Sequence, residues 1–148
     1  MAGFYDIISP SNQHRPPVWL LRQVGRYMPQ YQELKTNRPL KELFLDTESI
    51  IEATLLGPSL LGVDAAIVFT DILSILEGFA IEYRFAPGPE IIYSPHQPFV
   101  FTEDPFSTFS FLIEAIQKLT KRLTVPLIAF AASPFTLASY LIEGGASK

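Results

Sequence analysis

An α/β fold with parallel strands is predicted for these 148 residues. Three observations predict it. Two unbroken apolar runs, residues 65–69 and 125–130, read as strands buried on both faces. Apolar residues at helical spacing accompany them, over 47–61 and again at Phe109, Leu112, Ile113, Ile116, Leu119 and Leu123. The order strand, helix, strand, excursion, helix, strand, helix is the alternation that sets strands side by side in parallel.

Taken in order, residues 6–9 make a short apolar start, followed by a polar loop rich in proline. Residues 18–21 are the first strand candidate. Residues 31–35 form a short helix after Pro29. Asp46 or Thr47 caps the next helix, with Glu48 in its first turn. Ile50, Ile51, Leu55 and Leu61 lie on its apolar side, Pro58 kinks it and Gly62 ends it. The strand 65–69 runs into Thr70 and Asp71. Residues 81–85 alternate as a hairpin strand with a partner near 91–93, and 86–98 is a proline-rich surface excursion. Lys118, Lys121 and Arg122 close the long amphipathic helix, where its dipole favours cations. After strand 125–130, Ser133 and Pro134 cap a last helix that stops at Gly144 and Gly145.

At 48% hydrophobic residues with twelve Phe, the composition is that of a globular domain with a sizeable core, not a disordered chain. No apolar run is long enough to cross a bilayer. The first seventeen residues lack the basic start and apolar core of a signal peptide, so a soluble cytoplasmic protein is the expectation. Cysteine is absent, which removes disulfides, thiolate metal sites and a cysteine nucleophile. His14 and His96 have no metal-ligand spacing to other groups and read as surface residues.

Charge is unevenly spread. The net charge is −4, yet residues 1–41 carry +4 and the remainder −8. A local positive field in an acidic protein suits a small anion, not nucleic acid, which wants a broad basic face. Arg22 and Arg26 lie four apart behind an apolar run, with Gly25 between them. Guanidinium forks match carboxylates and phosphates, and glycine permits a sharp turn or close approach of a ligand to the backbone. The segment reads as an anion site at the end of a strand, or as a strand followed by surface charges. Asp71, past the end of an apolar strand, is either a helix cap or an acceptor aimed into a cavity. Tyr140 is either a half-buried core tyrosine or a donor to a ligand carboxylate. In α/β folds chemistry collects past the carboxyl ends of strands, the position shared by Arg22, Asp71 and the turn at Ala132 and Ser133.

Three segments together resemble one family. Residues 19–29, with Trp19, Arg22, Gln23, Gly25, Arg26, Tyr27 and Pro29, resemble the first signature of the uroporphyrinogen decarboxylases. Residues 69–73, around Thr70 and Asp71, look like the second. Residues 126–128, the run from Ser133 to Leu137, and Tyr140 with Glu143, Gly144 and Gly145 look like the third. Leu21, Val24, Gln30, Lys35, Thr70, Ala132 and Phe135 depart from the commoner residues of that pattern. None of these changes removes a group assigned to chemistry, although lysine at 35 cannot form the arginine fork.

The resemblance implies a (β/α)8 TIM barrel of which this chain is the N-terminal portion, cut after about the third strand–helix unit, since such barrels typically need about 250 residues. It implies removal of carbon dioxide from the four acetate arms of uroporphyrinogen III, giving coproporphyrinogen III, with no cofactor and no metal. It also implies a cytoplasmic homodimer when full length, with no nucleic-acid or membrane partner. Residue by residue, it places Arg22, Gln23, Val24, Gly25, Arg26 and Tyr140 against substrate and makes Asp71 the catalytic carboxylate. The family's later substrate-binding serine and histidine have no counterpart here. The isolated chain, as a truncated product or fragment, is therefore expected to be inactive and prone to aggregation. Other readings are a corrinoid-linked methyltransferase of the same superfamily, a non-catalytic truncated paralogue, and an unrelated α/β anion-binding protein.

Overall fold

The computed structural model describes Ser9 and residues 16–85, 88–94, 100 and 104–145. The start at 6–8, His14, His96 and parts of the 86–98 excursion lie outside these residues. In chain order the elements are α1 (Pro29–Lys35), α2 (Leu40–Leu45), α3 (Thr47–Leu61), β1 (Ala66–Ile67), a 3₁₀ helix (Ser74–Phe79), β2 (Glu82–Phe85) and β3 (Pro89–Ile92). Then follow α4 (Pro105–Thr108), α5 (Ser110–Arg122), β4 (Leu127–Ile128) and α6 (Pro134–Glu143).

The α/β reading holds. β1 and β4 pair in parallel, Ala66 opposite Leu127 and Ile67 opposite Ile128. Between them the chain makes the antiparallel β2–β3 hairpin, Tyr83 opposite Ile91, and then α5. The described residues form two two-stranded sheets and not a closed barrel.

Local chemistry sets the helix ends. Asp46 caps α3 by accepting the Ser49 N–H at 3.0 Å, which settles the choice between Asp46 and Thr47. The helix continues through Pro58 to Leu61, and Gly62, at φ 63°, ends it in the left-handed conformation that glycine adopts freely. Ser133 caps α6 through the Thr136 N–H at 3.1 Å, with Pro134 in the first turn. The short helices α2 and α4 and the 3₁₀ helix have too few residues to show a period, and the sequence pattern does not reveal them.

Two apolar clusters hold these parts. Ile50 and Ile51 of α3, Ala66 and Val68 at β1, and Ala115, Leu119 and Leu123 from α5 and its end form the first. Leu73, Leu76, Ile81, Tyr83 and Ile91 form the second beneath the hairpin, and Leu137, Tyr140 and Leu141 of α6 pack against it. Lys41 of α2 ties this region together: its Nζ is 2.7 Å from Glu77 and 4.0 Å above the Tyr83 ring. Burial, reinforced by Glu77, pushes the Tyr83 phenol well up.

The strand expected at 18–21 is not formed. Val18, Trp19, Leu20 and Leu21 are exposed, Leu21 by 74%. Val18 does meet Asp64, its N–H donating to the carboxylate at 2.7 Å and its carbonyl accepting the Asp64 N–H at 2.8 Å. The next tie, five residues on, is the Gln23 side chain to the backbone of Ala65 and Ile67. The segment thus advances five residues while its neighbour advances about two, so it bulges and no backbone ladder forms. β1 and β4 are shorter than the runs 65–69 and 125–130, because regular pairing is confined to two residues each.

Candidate active site

The carboxyl ends of β1 and β4 open into a cavity of about 800 Å³. Ile67 and Ile128 line it at the strand ends, and Trp19, Tyr31, Phe44, Phe69 and Phe130 supply aromatic surface. The rings brace one another: Phe69 lies 4.8 Å from Phe44 and edge-on to Tyr31 at 5.7 Å. Residues 21–27 form its polar side.

That side is built by a tight turn. The Met28 N–H closes on the Gly25 carbonyl at 3.0 Å, the Tyr27 hydroxyl donates to the Gln23 carbonyl, and Gln32 Nε2 donates to the Arg26 carbonyl at 2.7 Å. Arg22 and Arg26 are exposed and both line the cavity. Among the described residues neither guanidinium has an ion-pair partner. Burial raises the Tyr31 phenol's pKa, and the nearby positive charge of Arg26 works against that rise.

Gln23, expected to face a ligand, is buried at 1% exposure. Its Nε2 donates to the Ala65 carbonyl at 2.7 Å and its Oε1 accepts the Ile67 N–H at 3.2 Å. The side chain can sit there because Gly57 of α3 presents no Cβ; one placed there would lie 2.5 Å from Gln23 Oε1. Val24 and Gly25 are half-buried on the cavity wall. Gly25 has no positive φ, and a Cβ on it would meet only the Tyr27 ring at 3.5 Å. Backbone conformation therefore gives no reason for glycine at this turn.

Asp71 and Tyr140 do not line this cavity. Asp71 follows Thr70, which does. Its Oδ1 accepts the Leu73 N–H at 2.8 Å and its carbonyl accepts the Ser74 N–H at 3.2 Å, so it organises the entry to the 3₁₀ helix. Burial raises the pKa of its carboxyl, partly offset by the Leu73 N–H. Tyr140 is half-buried against the hairpin cluster to which Leu73 belongs. Geometry thus gathers Arg22 through Arg26 around one cavity, with Asp71 one residue beyond its wall and Tyr140 on the cluster beneath the Asp71 turn.

The sequence reading missed the aromatic walls. A signal was present, since Phe69 and Phe130 end the two apolar runs at the strand ends where sites form. Tyr31 and Phe44 gave none, because their helices are too short to mark an inward face. Among the described residues no group of three His, Cys, Asp or Glu side chains is placed to hold a metal ion, and no helix is long and apolar enough to cross a membrane.

Comparison with known proteins bears on this site. The family model described as uroporphyrinogen decarboxylase matches residues 2–148. A uroporphyrinogen decarboxylase of Chlamydia trachomatis is 80% identical over all 148 residues, which cover 44% of that protein. One from Chlamydia caviae is 66% identical with the same coverage. One from Carboxydothermus hydrogenoformans is 45% identical over 141 residues, covering 89% of this chain and 40% of that protein. The chain therefore spans less than half the length of these curated relatives. Among solved structures, a methyltransferase from Methanosarcina mazei superimposes with a TM-score of 0.59 at 20% identity, over 74% of this chain and 36% of that one. That likeness is one of fold.

Proposed function

The chain belongs to the uroporphyrinogen decarboxylase family, and on that footing we propose that it builds the N-terminal part of the substrate site of a cofactor-independent carboxy-lyase. The substrate is uroporphyrinogen III and the product coproporphyrinogen III. The observation that carries this reading is the pair of guanidinium groups, Arg22 and Arg26, standing without ion-pair partners among the described residues on an aromatic-walled cavity. A flexible macrocycle with carboxylate arms needs both features, apolar surface for its rings and forks for its acids.

In this reading Arg22 and Arg26 hold carboxylates, Val24 and Gly25 shape the wall, and Gln23 holds the arginine segment against β1. Protonation of the pyrrole carbon next to the one that bears the acetate arm makes the ring cationic. The bond to the carboxylate carbon then breaks, its electron pair passes into the ring, and carbon dioxide leaves. Proton return to the arm and proton loss from the ring carbon give a methyl group. Asp71, in a desolvated turn one residue beyond the cavity wall, meets the ring once the site is complete and stabilises its cationic form more than the neutral one, the condition for lowering the barrier. Tyr140 contacts a carboxylate arm once the site is complete. The complete protein is proposed to close a (β/α)8 barrel, with this chain supplying about three strand–helix units, and to act as a cytoplasmic homodimer.

The test is a chimera joining residues 1–148 to the rest of the C. trachomatis relative. It is expected to convert uroporphyrinogen III to coproporphyrinogen III, whereas the 148-residue chain alone is not. A folded chimera without turnover overturns the assignment.

A further inference from the structure

Thr70 stands on the cavity wall between Phe69 and Asp71. Its Oγ1 is buried and has no hydrogen-bond partner among the described residues. Buried hydroxyls are nearly always paired, and an exception calls for a physical reason. Two polar side chains of the same region, one lining the cavity and one bonded to the preceding residue, are engaged elsewhere. The Gln23 amide is taken up by Ala65 and Ile67, and the Thr54 hydroxyl accepts the Phe69 N–H at 2.9 Å while donating to the Ile50 carbonyl at 2.7 Å. The buried hydroxyl reaches a ligand in the cavity by a step of χ1 to another staggered position, which carries Oγ1 to the place now held by Cγ2 or by Hβ. Arg22 and Arg26 line the same space.

We propose that Thr70 is a further substrate-contacting residue, whose hydroxyl donates to a carboxylate of the acidic ligand held by Arg22 and Arg26. The inference rests on the functional reading above. A hydroxyl donating to a carboxylate makes a charge-assisted bond, stronger than one between neutral groups. The free protein keeps the hydroxyl unpaired, and the ligand relieves it.

Thr70→Val removes the hydroxyl at nearly constant shape, and Thr70→Ser keeps it. Uroporphyrin III, the stable oxidised octa-acid, is titrated by fluorescence against the chimera of residues 1–148 with the rest of the C. trachomatis relative, at submicromolar protein, and the unfolding midpoint of each free protein is measured. Thr70→Val is expected to bind about tenfold more weakly, Thr70→Ser to bind as the parent does, and the Thr70→Val midpoint not to fall. An unchanged affinity in Thr70→Val, or a midpoint that drops, overturns the proposal, because the hydroxyl then serves no ligand or serves the fold. If the parent chimera does not bind, or Arg26→Ala in it binds as well as the parent, the reading of the whole site fails and the Thr70 role with it. Binding that needs Arg26 but not the Thr70 hydroxyl defeats the Thr70 role alone.

Discussion

The Gln23 side chain takes the place of a neighbouring strand for Ala65. Its amide donates to the Ala65 carbonyl at 2.7 Å and accepts from Ile67 at 3.2 Å, satisfying both backbone groups on the edge of β1 that does not face β4. An amide side chain has the same donor and acceptor as a peptide group, so it can fill one place in a ladder. The arginine-bearing turn is thereby pinned to the sheet through one buried residue.

Gln23→Leu should therefore be costly. It leaves a buried carbonyl and a buried N–H unpaired, a loss of about 3 kcal/mol. Chemical denaturation should show a lower midpoint at unchanged slope, and hydrogen exchange at Ile67 should speed up. A Gln23→Leu chain as stable as the parent would show that water can fill the place.

Asp71→Asn separates chemistry from stability. Burial raises the carboxyl's pKa in the folded state, so the folded state holds the Asp71 proton more tightly than the unfolded state does. That contribution is complete in acid, below the ordinary aspartate range, and is lost as pH rises through the raised value. At neutral pH the buried charge weakens the fold. Asp71→Asn should raise the unfolding midpoint at pH 7, with the gain vanishing below about pH 4, while the chimera loses most of its turnover. A chimera that keeps its rate would reduce Asp71 to a cap of the 3₁₀ helix.

Asp46 behaves with the opposite sign. The Ser49 hydroxyl, with smaller help from the Ser49 N–H and Arg38, holds its carboxyl below the usual range. Its contribution is present above that range and is lost as pH falls through the depressed value. Asp46→Ala should cost about 1 kcal/mol at pH 7, read as a lower denaturation midpoint, and the difference from the parent should close in acid.

Arg26→Ala tests the forks. No ion pair of the described fold is broken by the change, so stability should stay within about 0.5 kcal/mol. In the chimera KM for uroporphyrinogen should rise roughly tenfold. An unchanged KM and rate would remove Arg26 from the site.

Gly25→Ala asks whether glycine is present for the chain or for the ligand. The turn needs no positive φ there, and a Cβ would meet only Tyr27. Stability should change by less than about 0.5 kcal/mol, while uroporphyrin III binding weakens because the new methyl stands on the cavity wall. A loss of stability with binding intact would assign the glycine to the fold.

Periodicity and end signals are local properties, and they determined α3, α5 and α6 with the caps at Asp46 and Ser133 and the stops at Gly62 and Gly144. The two apolar runs likewise determined β1, β4 and their parallel pairing, and the three motifs determined the family. The arginine segment was legible as a place on the chain, but its backbone was misread as a strand. Strand formation at 18–21 depends on whether a backbone ladder closes beside it, and only the fold shows that Gln23 closes it with a side chain. The aromatic walls, the buried Thr70 hydroxyl and the placing of Asp71 beyond the cavity were likewise decided by tertiary structure. Each depends on which distant residues share a space, and spacing along the chain does not encode that contact.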